Sequence, residues 1–227
     1  MTNDSESIDT TMTVRGRKIA LASFWTTFAV NEVYAIVSGI AYASQRSAVE
    51  SGPYLTAMAL LVVLMGPFLI LSMSVIHKFA RQEHKIYSLT ALGFMIACIA
   101  ITSCNNFMLL IVSKQPNLFS ESFQSLFLPC KWPTPVFVLD NFVWDWFFGV
   151  SMLLISPIFG GNRLKTFLRI VLIISGILCI LGLPWIAISP DQAVIIGILG
   201  WGAAGPIAFL LLAKVFEQIP VKITGQE

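Results

Sequence analysis

The stretch YLTAMALLVVLMGPFLILSMSVIH, residues 54–77, runs for 24 residues without a lysine, arginine, aspartate or glutamate. About 20 predominantly apolar residues in a helix are enough to cross the hydrocarbon core of a bilayer. This stretch therefore reads as a transmembrane helix. Working outward from it, five further segments pass the same test: 18–43, 86–113, 134–158, 164–188 and 191–215. The 86–113 segment is long enough to tilt or to project from the membrane. Composition agrees over the whole chain. Of its 227 residues 56% are hydrophobic and 11% charged, against about 25% charged in a soluble domain, and the mean hydropathy is +0.81. The expected fold is an all-α polytopic membrane bundle of six transmembrane helices over 18–215. A disordered cytoplasmic N-terminus (1–17) and a cytoplasmic tail (216–227) flank it.

Between the third and fourth segments, 114–133 contains Pro116, Phe119, Phe123, Phe127, Pro129 and Trp132. It is aromatic but too polar and too proline-bounded to span, and reads as an interfacial or re-entrant cap or as a plain loop. Lysine and arginine counts set the orientation. Arg15, Arg17, Lys18, Lys78, Arg81, Lys85, Arg163, Lys165, Arg169, Lys214 and Lys222 fall on one side, and only Arg46, Lys114 and Lys131 on the other. Both termini of this multi-pass protein are thus expected in the cytoplasm, and the pattern does not separate endoplasmic reticulum from plasma membrane. The net charge of +2 gives no basic field for nucleic acid. Cys98, Cys104, Cys130 and Cys179 lack CxxC spacing, so neither a disulfide nor a metal site is expected.

Polar residues inside three spans carry the functional signal. The first span has Asn31, Glu32, Tyr34 and Ser38; the third has Thr102, Ser103, Cys104, Asn105 and Asn106; the fourth has Asp140, Asn141, Trp144 and Asp145. A charge at the centre of a membrane helix costs about 3 kcal/mol on insertion scales, so it needs water, a partner or a proton. At a rise of 1.5 Å per residue, Glu32 and Asp145 both lie roughly 16 Å below the non-cytoplasmic face, with Asn105 and Asn106 at about 12 Å and Asp140 at about 9 Å. Separate spans therefore place polar groups in one layer. Asp140 and Trp144 are spaced i, i+4, as are Asn141 and Asp145, and Phe148 extends the first pair. The spacing predicts an acidic, amide-bearing and aromatic wall of a chamber that opens toward the non-cytoplasmic half.

The sequence shows no nucleophile elbow, phosphate loop, Rossmann glycine pattern or His/Cys metal cluster, so no cofactor and no metal are expected. Proton transfer is then the available chemistry. A carboxylic acid shielded from water can open an epoxide or protonate an alkene, aromatic faces can hold the resulting cation, and a second carboxylate or amide can remove the last proton. This assigns catalysis to Glu32, Asp145 and Asp140. Contact with a lipophilic small-molecule substrate falls to Asn31, Tyr34, Asn105, Asn106, Asn141, Trp144 and Phe148, within a shell of membrane lipid. In size, polytopic architecture and the placing of Glu32, Asp140 and Asp145, the chain resembles the small integral-membrane terpene cyclases of fungal meroterpenoid pathways. That resemblance implies cofactor-free, proton-initiated cyclisation or isomerisation of an isoprenoid or meroterpenoid substrate, with no metal. The family is built of seven spans; this chain has six and the 114–133 segment. The competing expectation is a small proton- or cation-coupled transporter. Intramembrane acids and the mid-helix Gly66-Pro67 and Gly205-Pro206 pairs are marks of that class.

Overall fold

Hydrocarbon offers no water to backbone N–H and C=O groups, so a spanning segment must satisfy its own, and a helix does so along its whole length. The computed structural model describes residues 12–45, 53–127, 134–185, 189 and 195–222, and six of its helices are long and apolar enough to cross a membrane. Helix α1 runs over Val14–Gln45, α2 over Pro53–Phe79 and α3 over Lys85–Lys114. A short surface helix, α4, occupies Glu121–Phe127. Three more spans follow: α5 over Pro135–Ile158, α6 over Arg163–Trp185 and α7 over Ile195–Glu217. Proline and glycine punctuate them as their chemistry requires. Pro53 and Pro135 open α2 and α5, where a missing N–H costs nothing. Gly161, at φ 104°, turns the chain after α5 with a backbone conformation that a side chain would strain.

The spans form a closed ring. Each packs on its neighbour in the order α1, α2, α3, α5, α6, α7, and α7 returns to α1. Two strands of two residues each, β1 (Met12–Thr13) and β2 (Val221–Lys222), pair in parallel and bring the two described ends of the chain together. Phe24 of α1 meets Phe216 of α7 at 4.9 Å between ring centroids, and Arg17 donates to the Glu217 carbonyl oxygen at 2.5 Å. At the start of α3 Lys85 donates to the carbonyl oxygens of His77 and Lys78, at 2.5 and 3.1 Å, and so closes the C-terminal end of α2.

Small residues allow close approach elsewhere in the ring, as is usual where lipid gives helices no hydrophobic reason to associate. At the α5–α6 seam a Cβ on Gly176 would stand 2.7 Å from the Gly149 carbonyl oxygen and 2.6 Å from Leu153. Ser151 of α5 crosses to the Ala91 carbonyl of α3 at 2.9 Å.

The ends differ from the sequence expectation, and the 114–133 loop carries a short helix. Helix α1 begins at Val14, and Met12–Thr13 is paired strand, which corrects the expected disorder for residues 12–17; residues 1–11 lie outside the described residues. The tail likewise continues α7 to Glu217 and then forms β2, so 216–222 is ordered by the same pairing. In the 114–133 segment, Phe119, Phe123 and Phe127 stack in series at 5.1 Å per step on α4, which rests on α3 and α5. Cys130 and Trp132 lie outside the described residues.

The two Gly-Pro pairs behave differently. Helix α2 continues through Pro67. In α7, Pro206 has no N–H to return, and the preceding turn widens into a π-helical segment, Leu199–Ala204, in which the Gly205 N–H reaches the Gly200 carbonyl. Ser175 of α6 donates to that same carbonyl at 2.8 Å. A second π-helical segment, Val143–Phe148, interrupts α5 and touches the first. The seam glycines give a direct check. Gly176→Leu is expected to destabilise the protein by about 1–3 kcal/mol through overpacking. Gly93→Leu, at a position with open space around it, is expected to be near neutral when thermal unfolding of both variants is followed in detergent.

Candidate functional site

Asp140 lies in the first turns of α5, opposite a polar ladder on α3. Thr102, Asn105 and Asn106 occupy i, i+3 and i+4 and therefore share one helix face. All three donate to Asp140 Oδ1: Thr102 Oγ1 at 2.5 Å, Asn106 Nδ2 at 3.3 Å and Asn105 Nδ2 at 3.4 Å. Asn105 Nδ2 also donates to the Val136 carbonyl one turn earlier in α5, at 3.1 Å, and Asn106 Nδ2 to the Thr102 carbonyl at 2.9 Å. The donors of one helix thus converge on a single carboxylate oxygen of the next.

One cavity borders Asp140, and a second space lies at its partner Asn105. Toward the ring centre a cavity of ≈ 20 Å³ is lined by Asn31 and Tyr34 of α1, Val62 and Met65 of α2, Asp140 and Trp144 of α5, and Trp201 of α7. Its aromatic wall is continuous. Trp144 lies 5.7 Å from Trp201 and 5.6 Å from Phe148, and Tyr34 lies 6.5 Å from Trp201, between ring centroids. The Trp201 indole N–H has no acceptor among the described residues. On the outer side a groove of ≈ 520 Å³ runs between α3, α4 and α5, walled by Ile101, Met108, Phe127, Val136 and Leu139. Asn105, already bonded to Asp140, brings an amide to that otherwise apolar surface.

Asp145 is placed elsewhere. It is 1% exposed, and its Oδ1 has no hydrogen-bond partner among the described residues. It presses on the backbone of α7 at Gly197, where any Cβ would overlap the carboxylate, 2.9 Å from Oδ2. A π turn begins at Val143, between the two acids, and adds a residue to the helical circuit. Of the i, i+4 stripes inferred from regular helical spacing, Asp140, Trp144 and Phe148 stay together, whereas Asn141 and Asp145 make separate contacts. Asp140 faces α3, while Asp145 faces α7. Asn141 is left half-buried, donating to its own helix at the Phe137 carbonyl, 2.7 Å away. Phe148 is buried beside Trp144 and Gly205.

Glu32 requires the clearest correction. It is exposed on α1, next to Val33 at 47% and near Ile36 at 60% exposure, so it looks outward rather than across a chamber at Asp145. Its neighbour Asn31 is the residue that turns inward. Counting along the axis gives depth but not direction around the helix, and at 3.6 residues per turn one position changes the facing by about 100°. The structure therefore brings together Asn31, Tyr34, Asn105, Asn106, Asp140 and Trp144, and leaves Glu32, Asn141 and Asp145 apart from them. Sequence reasoning overlooked Trp201 and Gly197 and did not assign Thr102 to the site. For Trp201 the available signal was its place just ahead of the helix-breaking Gly205-Pro206.

Searches against protein-family models, curated proteins and solved structures find no match for this chain. The Gly197–Asp145 contact is testable by itself. Gly197→Ala is expected to lower stability despite the better helix propensity of alanine, whereas Gly202→Ala, which meets only Ile198 at 3.4 Å, is expected to be neutral or stabilising. Adding Asp145→Ala to Gly197→Ala should recover part of the loss in a double-mutant cycle of thermal midpoints.

Proposed function

We propose that this membrane protein is a small proton- or cation-coupled carrier in which Asp140 takes up the coupling cation. The observation that carries the reading is the position of Asp140 beside a ≈ 20 Å³ cavity, at the place where α5 and α7, each interrupted by a π-helical segment, meet. An intramembrane carboxylate is expensive and is by default a functional group. Helix interruptions at the same level leave backbone groups outside the regular ladder and supply points at which a helix can bend. The cavity is large enough for one water-sized species, not for an isoprenoid chain. Asp145, also intramembrane and pressed on α7 at Gly197, is the second acid that such a path would use.

Cofactor-free acid catalysis on a lipophilic isoprenoid or meroterpenoid substrate is the second reading, and the outer groove favours it. Its ≈ 520 Å³ lies in the range of small-molecule sites, it is reached from the lipid side, and Asn105 joins it to Asp140. In that reading Asp140 supplies the proton, with Asn105 and Asn106 orienting its carboxyl group, and Glu32 has no part. The two readings separate in one preparation. Reconstituted in liposomes, the wild-type protein should drive cation-dependent proton flux, and Asp140→Asn should reduce it at least tenfold while Glu32→Gln leaves it unchanged. Absence of flux, together with conversion of a prenylated substrate in membranes that Asp140→Asn abolishes, would replace the carrier reading with the enzyme reading.

A further inference from the structure

We infer that the cavity beside Asp140 is a monovalent-cation site that takes one ion no larger than a water molecule. This deepens the carrier reading, on which the ion's role rests; its binding does not depend on that reading. Three independent features of the cavity agree. The first is size, since a cavity of ≈ 20 Å³ admits water-sized species and is far below the roughly 300–1,000 Å³ of sites for drug-sized molecules.

The second is charge. The ion pairs among the described residues, Arg81–Glu83, His84–Glu83 and Lys214–Glu217, all lie at the rim of the bundle. Among the described residues Asp140 has only the neutral donors Thr102, Asn105 and Asn106, and all three approach the same oxygen. Neutral donors spread a carboxylate's charge without cancelling it, and in hydrocarbon an uncancelled charge stays costly. A water molecule in the cavity would leave that charge in place. A proton or a monovalent cation would remove it.

The third is the chemistry of the wall. Asn31 directs its Nδ2 to Met65 Sδ at 3.9 Å and lines the same cavity as Asp140, so its amide oxygen is the second oxygen ligand in the inferred site. Trp144, Trp201 and Tyr34 supply aromatic surface, and ring faces attract cations, most strongly when both are removed from water. A divalent ion is a poor fit. Calcium takes six to eight oxygen ligands, usually with several carboxylates, and the described residues contain no group of three or more His, Cys, Asp or Glu side chains suited to a metal. The site's ions are therefore sodium, potassium or ammonium, selected by size against larger organic cations.

The test is equilibrium binding to the full-length protein in detergent at constant ionic strength. Sodium, potassium and ammonium chloride are titrated in turn against choline chloride, with tryptophan fluorescence and the thermal midpoint as readouts. At least one of the three small cations is expected to give a saturable change that choline does not. Asn31→Leu and Asp140→Asn should each weaken it tenfold or more, while Glu32→Gln, exposed on α1 and absent from the cavity wall, leaves it within about threefold. If Asp140→Asn does not fold, Asn31→Leu decides, because it lies outside the α3–α5 ladder. A wild-type response no different from choline, or one that survives Asn31→Leu and Asp140→Asn unchanged, overturns the site and leaves a bound water as its occupant. Saturable binding without flux in liposomes keeps the site and removes the carrier. Flux without binding removes the site and leaves the proton as the coupling ion.

Discussion

A carboxylate carried into hydrocarbon has to be surrounded by groups that can answer it, and the meeting of Asp140 with α3 is organised by that demand. Thr102, Asn105 and Asn106 can reach one oxygen only if α3 and α5 lie side by side at a fixed height, so the hydrogen bonds set the register between the two spans. Once that register is fixed, Ser151 falls opposite the Ala91 carbonyl, and the α5–α6 glycine seam takes its place behind. The ring closes from there through α7 to α1. Apolar surface makes all six helices membrane-soluble, but it does not tell them which neighbour to choose or at what height.

Two acids that the sequence places five residues apart, Asp140 and Asp145, lie before and within the π-helical segment of α5. In an unbroken helix Asp140 and Asp145 would lie about 140° apart around the axis, with Asn141 and Asp145 in one stripe. In the structure Asp140 meets α3 and the central cavity, and Asp145 the bare backbone of Gly197. The facing interruption in α7 has a visible cause in Pro206, and its loosened carbonyl at Gly200 is taken up by Ser175. No proline explains the interruption in α5.

Much of this architecture could be read in the residues, because membrane insertion is decided by composition over about 20 positions and is insensitive to detail. The six spans were visible for that reason, as was the polar layer, since depth accumulates linearly along a helix. Direction around the axis was not visible. Glu32 and Asn31 are adjacent in sequence and similar in depth, yet one faces out and the other in, and only contact with α2 and α7 decides between them. The π turn was equally hidden, for its effect is to cancel the spacing rule by which Asn141 was grouped with Asp145. Trp201 could not be assigned to the site without knowing that α7 packs back on α1.

The pairing of β1 with β2 bears on how the molecule is made. Met12 donates to the Pro220 carbonyl at 2.9 Å, so the first described residue of the ordered chain is held by nearly the last. During synthesis α1 enters the membrane long before α7 exists, and until then its inner face, including Asn31 and Tyr34, has only α2 beside it. The central cavity acquires its last wall, Trp201, when α7 arrives. The site at Asp140 is therefore finished in a single late step, and a chain halted after α6 holds the α3–α5 ladder without the enclosure that the ladder serves.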